Sequence, residues 1–337
     1  MNKKLLTLAI GVALGTVPMI SSASQVKLYG HLQVEVGSID TGGLAGNENF
    51  TADNSRGRIG IEASEKLGNG LTALALFEWR VDTTTGDVDA GDRQGMVGLK
   101  GNFGTFEAGA LKGAYKYFGG VSYDPFNTTA LEARSNGGTS GAELGNTRYG
   151  HHAFLDNSIG WKSPNWNGLE VWAHYSIDEQ NAAGNTLTSD GDYTVGVRYK
   201  NGPFEVGVAA VNNDSITGVL GGDGTKIFGQ YKLGNHTFSG QYERIDAEIG
   251  ALSTQHDVWF FGYQLKAGNN IFVAQVGKNE ADLNVGLDTE TDYFALGVIH
   301  ELSKKTRVFG GYRNTDKNAA GAGNETEVFS VGLRVTF

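Results

Sequence analysis

The sequence predicts an all-β fold, sixteen antiparallel strands closed into a transmembrane β-barrel, and three observations predict it. Apolar residues recur at every second position, most clearly at the end of the chain, where Phe329, Val331, Leu333, Val335 and Phe337 share one parity and Ser330, Gly332, Arg334 and Thr336 the other. A period of two places the two sets on opposite faces of a strand. A soluble sandwich also alternates, so the second observation matters more: seven tight turn signals alternate with eight longer polar stretches, which joins sixteen strands. Short turns at one end and long loops at the other are a property of transmembrane barrels. Third, only Pro125, Pro164 and Pro203 follow residue 23, each beside Gly, Asn or Asp, as expected if strand interiors exclude a residue that cannot donate to the ladder.

In chain order, residues 1–23 come first and form a secretory leader. Lys3 and Lys4 supply the positive end, Leu5 to Ile20 the apolar stretch, and Ser21-Ser22-Ala23 the small residues for cleavage. About sixteen apolar residues containing Pro18 are short for a membrane span, and no later stretch reaches the ~18 to 20 that a spanning helix needs. Residues 24–337 are therefore expected to be exported as one barrel domain. A barrel is the one non-helical way to satisfy every backbone N–H and C=O in lipid.

The tight turns are Gly68-Asn69-Gly70, Asn102-Phe103-Gly104, Asn165-Trp166-Asn167-Gly168, Asn201-Gly202, Gly234-Asn235, Gly268-Asn269-Asn270 and Ser303-Lys304-Lys305. The longer stretches lie near 40–54, 83–92, 116–147, 178–191, 212–224, 246–255, 280–289 and 314–325. Between them, Tyr193, Val195, Val197 and Tyr199 oppose Thr194, Gly196, Arg198 and Lys200, and Ile59, Ile61 and Ala63 oppose Arg58, Gly60, Glu62 and Ser64. Tyr29, Trp79, Trp161, Trp172 and Tyr242 fall near strand ends, where interfacial girdles are expected. Leu71 to Phe77 alternates poorly. Leu74 and Leu76 fall on the face assigned to water, which suggests a subunit contact or a loop-covered stretch.

Composition narrows the partners. Without Lys3 and Lys4, 25 basic residues face 37 acidic ones, a net charge of −12, which argues against nucleic acid and anionic lipid surfaces. Cysteine is absent, excluding disulfides and thiolate metal sites. The 51 glycines, well above the usual ~7%, are dispersed among Val, Tyr, Phe and Thr rather than gathered in low-complexity tracts.

Several segments resemble the general trimeric porins of Gram-negative outer membranes. They are Val26-Lys27-Leu28-Tyr29-Gly30; Arg58-Ile59-Gly60 through Gly70; Arg93-Gln94 through Val97-Gly98-Leu99-Lys100-Gly101 with Phe103-Gly104; Asp156-Asn157-Ser158-Ile159 with Ser163-Pro164 and Gly168; and Leu302-Ser303-Lys304-Lys305-Thr306. Their order and spacing extend the resemblance from Val26 to Phe337. It implies a homotrimer in the outer membrane, in contact with lipid and lipopolysaccharide, that passes ions and small hydrophilic solutes by diffusion. The aromatic terminus at Phe337 resembles the signal such barrels present to the assembly machinery. The third loop, here Lys116 to Thr147, is expected to fold inward and bring Asp124, Glu132 and Glu143 opposite a basic wall of Arg56, Arg58, Arg80, Arg93 and Lys112. Opposed charges across a narrow water channel set up a transverse field. The sequence departs from the family at Ala108-Gly109-Ala110, where Val-Gly-Arg is common, and Glu107 stands where a base is common. That departure, with the net acidity, leads to an expected modest preference for cations.

Other chemistries fit less well. Asp87-Val88-Asp89-Ala90-Gly91-Asp92 lacks the spacing and distal Glu of a calcium loop. His151 and His152, adjacent on a strand, would point to opposite faces, so no metal or other cofactor is expected. No nucleophile elbow or metalloprotease motif supports an enzyme. Short loops weigh against a receptor or adhesin. A substrate-specific channel is the remaining alternative, and it would need an aromatic track along the lumen.

Overall fold

A computed structural model describes residues 25–42, 47–52, 57–89, 93–141, 143, 154–177, 192–213, 221–249, 251–284, 288–319 and 322–337. The expected leader, Arg56, and the His151-His152 pair lie outside them. The strands are β1 (Gln25–Asp40), β2 (Asn47–Ala52), β3 (Gly57–Gly68), β4 (Leu71–Val81), β5 (Val88–Asp89), β6 (Gly95–Gly101), β7 (Gly104–Leu111), β8 (Leu155–Lys162) and β9 (Leu169–Ser176). They continue as β10 (Tyr193–Asn201), β11 (Phe204–Asn213), β12 (Gly221–Leu233), β13 (His236–Ile249), β14 (Leu252–Ala267), β15 (Asn270–Leu283), β16 (Thr289–Glu301), β17 (Thr306–Ala319) and β18 (Ala322–Thr336).

Neighbours along the chain pair antiparallel, and the ring closes where β1 pairs with β18 from His31 opposite Thr336 to Asp40 opposite Glu327. Two of the strands are continuations. β2 pairs with the upper half of β1 while β3 pairs with the lower half, and β5 and β6 divide the length of β4 in the same way. The wall is thus a closed antiparallel barrel of sixteen staves. Closure leaves no unpaired edge.

Alternation decides what each face meets. Leu28, Val36, Phe77, Val97, Phe106, Val208, Ile227, Phe272 and Val331 are exposed around the whole circumference. In water such a surface would be an aggregation site; on a barrel it is the lipid belt. The opposite parity carries His31, Gln33, Glu35, Glu78, Gln241, Glu243 and Gln275, all buried. Leu74 and Leu76 lie in an unbroken ladder and share the inward parity of Glu78, so they are not a subunit contact; Leu76 stands between Glu62 and Met96. Tyr29 and Trp172 also depart from the expected girdle. The Tyr29 hydroxyl donates to Glu78 at 2.9 Å, and the Trp172 ring packs at a tilt against Phe118 with centroids 4.7 Å apart, both inside the ring.

All seven tight turns are found, at the end of the barrel that holds Gln25 and Phe337. The opposite end differs from expectation. The stretches near 246–255 and 314–325 are not long loops, because β13 and β14 stay in register to Ile249 opposite Leu252, and β17 and β18 to Ala319 opposite Ala322. Polar residues on both faces of a strand mark water on both sides. Backbone pairing continues there regardless.

Candidate channel constriction

The connection from Lys112 to Phe154 joins β7 to β8 and contains the one-turn helix α1 (Ala114–Tyr117) and a 3₁₀ turn (Gly120–Ser122). It begins before the expected Lys116, and the expected end at Thr147 lies outside the described residues. Its apolar residues form the core of the molecule. Tyr115, Phe118, Phe126 and Leu131 are essentially inaccessible, and Phe118 lies 6.1 Å from Phe228 on β12 as well as against Trp172 on β9. Burying such a side chain stabilises by roughly 1.5–3 kcal/mol. Wall glycines make room: a Cβ at Gly297 would lie 2.8 Å from the Phe126 ring, and one at Gly311 would lie 3.0 Å from Leu131.

Polar contacts place the loop inside the ring. The Tyr115 hydroxyl donates to Glu243 on β13 at 3.0 Å, and the Tyr123 hydroxyl to Glu205 on β11 at 3.3 Å. The Ala130 N–H donates to Glu35 on β1 at 2.9 Å, Gln275 on β15 to Asp124 at 2.8 Å, and Tyr293 on β16 to the Leu131 carbonyl at 2.8 Å. A segment that bonds inward-facing side chains from β1 to β16 can only lie within the barrel. Buried backbone groups need such partners.

The three acids expected to face the pore are occupied in holding the loop. Asp124 accepts the N–H groups of Phe126 at 2.7 Å and Ala133 at 2.8 Å in addition to Gln275. Burial pushes its carboxyl up to about 6. Glu132 accepts the Thr128 N–H at 2.9 Å and pairs with Arg134 at 3.2 Å. Glu143 accepts the Gly141 N–H at 2.6 Å and the Asn279 amide at 3.0 Å.

The bases divide differently. Arg58 on β3 and Arg93, two residues ahead of β6, converge on Glu78 of β4: the Arg58 guanidinium lies 3.9 Å from the carboxylate and Arg93 forms a direct ion pair with it. The Arg93 guanidinium also covers the Phe154 ring at 5.4 Å, and Lys112 lies over the Tyr117 ring at 5.3 Å. Arg80 belongs to another group, bonded to Asp89 of β5 at 2.5 Å. Glu107, expected to reduce the positive wall, is held by Lys162 at 2.7 Å and His174 at 3.0 Å. Arg58, Arg93 and Lys112 therefore outnumber their shared acid, Glu78. Sequence reasoning missed Glu78, although it shares parity with Arg80 two residues on and was legible from that.

A closed barrel with a lipid-facing apolar exterior, a polar interior and an inward loop edged by bases is a membrane channel. The comparisons agree on its kind. The family model for Gram-negative porins matches residues 8–320, and the chain belongs to that family. Outer membrane porin protein 32 of Delftia acidovorans is 27% identical, with 100% of both chains aligned. An outer membrane porin protein of Bordetella pertussis is 24% identical over 96% of this chain and 88% of its own. An anion-selective porin from Comamonas acidovorans has the same fold, with a TM-score of 0.77 at 20% identity over 93% of this chain and 100% of that one. An outer membrane protein of Vibrio cholerae in its trimer form gives 0.70 at 17% identity, over 94% and 100% of the two chains. The protein is a channel of the Gram-negative outer membrane through which ions and small hydrophilic solutes diffuse.

Proposed function

We propose that this porin passes small anions in preference to cations, with its narrowest point between the inward loop and the group Arg58, Arg93 and Lys112. This reverses the cation bias expected from net charge and from Glu107. One observation carries the reversal: Asp124, Glu132 and Glu143 are bonded to N–H donors and to Arg134, whereas the facing bases share only Glu78. A fixed excess of positive charge in a narrow, low-dielectric passage raises local anion concentration and repels cations. The related Comamonas acidovorans porin, described as anion-selective, supports the same sign. The aromatic side chains of the lumen are packed between loop and wall instead of lining a track, which favours general diffusion over a substrate-specific channel.

The assembled form is a homotrimer in contact with lipid and lipopolysaccharide, built by the outer-membrane assembly machinery with Phe337 as its recognition element; the trimeric Vibrio cholerae relative supports the oligomer. The deciding experiment is the zero-current potential of the refolded protein in a planar bilayer across a potassium chloride gradient. The chloride sign is expected. A potassium sign would return the weight to the loop acids.

A further inference from the structure

From the constriction toward the turn-side mouth, the inward face of four adjacent staves carries a row of bases in which only Arg58 has a bound counter-charge, the Glu78 that it shares with Arg93. Arg307, the second residue of β17, stands directly opposite Arg334 of β18. His31 of β1 stands directly opposite Arg58 of β3, and Gln33, two residues along β1 on the same face, stands opposite Arg334. Arg334 donates to Gln33 and to Thr128 of the loop. The Nε atoms of Arg307 and Arg58 and Nε2 of His31 are buried without a hydrogen-bond partner.

The carboxylates around this row are already engaged. Glu301, opposite Arg307, is held by Lys266 at 2.9 Å. Glu35 accepts from Gln33, Ala130 and Ser330, and Glu132 from Thr128 and Arg134. Among the described residues, neither Arg307 nor Arg334 has a carboxylate within ion-pair distance.

Like charges directly opposite on one face destabilise a strand pair, and buried donors without acceptors do the same. Water can fill the donors but cannot offset the charge. An oxyanion does both, because the planar guanidinium fork matches two oxygens at once, a geometry chloride cannot use.

We propose that Arg307, Arg334, His31 and Arg58 form a transit binding site for a doubly charged oxyanion of the phosphate type. The proposal deepens the anion reading by naming a ligand class, and it rests on that reading for the route by which the ion arrives.

The test uses the refolded full-length protein in planar bilayers. The zero-current potential is first measured in a potassium chloride gradient. Inorganic phosphate is then titrated at constant ionic strength, and the fall in chloride current is normalised to each variant's own starting conductance. Arg307→Gln should raise the phosphate concentration for half effect about tenfold, the equivalent of about 1.4 kcal/mol. Arg307→Lys, which keeps the charge but loses the fork, should fall between that variant and wild type. An unchanged half-effect concentration in Arg307→Gln overturns the site, and so does a wild-type channel indifferent to phosphate, whose donors would then only be hydrated. A potassium-sign potential in the first measurement overturns the anion reading separately.

Discussion

Gly138 of the inward loop and Gly277 of β15 meet backbone to backbone, so closely that a Cβ on Gly277 would lie 2.5 Å from the Gly138 Cα. Neither partner is a side chain that could rotate away, so the seat of the loop depends on a missing methyl group. Overpacking of this kind costs about 1–3 kcal/mol. Gly277→Val should therefore lift this part of the loop off the wall and raise single-channel conductance. Circular dichroism should still report an intact β-barrel. Unchanged conductance would place the narrowest point elsewhere.

Glu78 lowers the charge of the basic group while orienting it. Glu78→Gln removes a unit negative charge that acts across several ångströms of water and protein, an effect of roughly 0.5 kcal/mol per ion before salt screening. The effect has opposite sign for the two ions, so the chloride-to-potassium permeability ratio should rise up to about fivefold at low salt, with a smaller change at high salt. A fall in the ratio would mean that Arg58 and Arg93 collapse without their anchor.

Asp124 makes the loop sensitive to pH. Its carboxyl is pushed up to about 6 by burial, so the folded state favours the protonated form relative to the unfolded chain. The associated stability is present below the ordinary carboxylate range and is lost as pH rises through about 6. Wild type should therefore gain thermal stability relative to Asp124→Asn between pH 7.5 and pH 5, as followed by circular dichroism. A difference independent of pH would show that the carboxyl titrates normally.

The proposed assembly role of Phe337 is separable from its place in the ladder. The Phe337 N–H donates to the Gly30 carbonyl at 3.0 Å, and the Gly30 N–H donates back at 3.3 Å. Two such bonds are worth about 1–3 kcal/mol, which is small for a barrel of this size. Deleting Phe337 should leave the melting temperature of detergent-refolded protein within a few degrees of wild type while lowering surface levels in cells severalfold. Normal surface levels would remove the assembly role.

How much was legible in the sequence depended on whether parity or position carried the argument. Parity correctly predicted the outward faces of Tyr193 to Tyr199 and Ile59 to Ala63, because lipid on one side and water on the other leave a polar residue only one comfortable direction. Position alone misassigned Tyr29 and Trp172 to the girdle, although their parity matches that of Gln33 and His174. The hairpin at Ile249 and Leu252 was hidden because, once a strand rises clear of lipid, hydropathy no longer distinguishes strand from loop. The roles of Asp124, Glu132 and Glu143 were hidden for another reason. A carboxylate in a lumen can face water or accept N–H groups from its own loop, and the choice depends on backbone geometry that no spacing encodes.

The inward loop also has a mechanical consequence. It is fastened to β1, β11, β13, β15 and β16, so it crosses the cylinder as a brace and does not hang from one edge. Squeezing the wall out of round must shift the brace. Deforming the hoop and displacing the loop are therefore a single motion, and the stiffness of the wall is also the stiffness of the aperture.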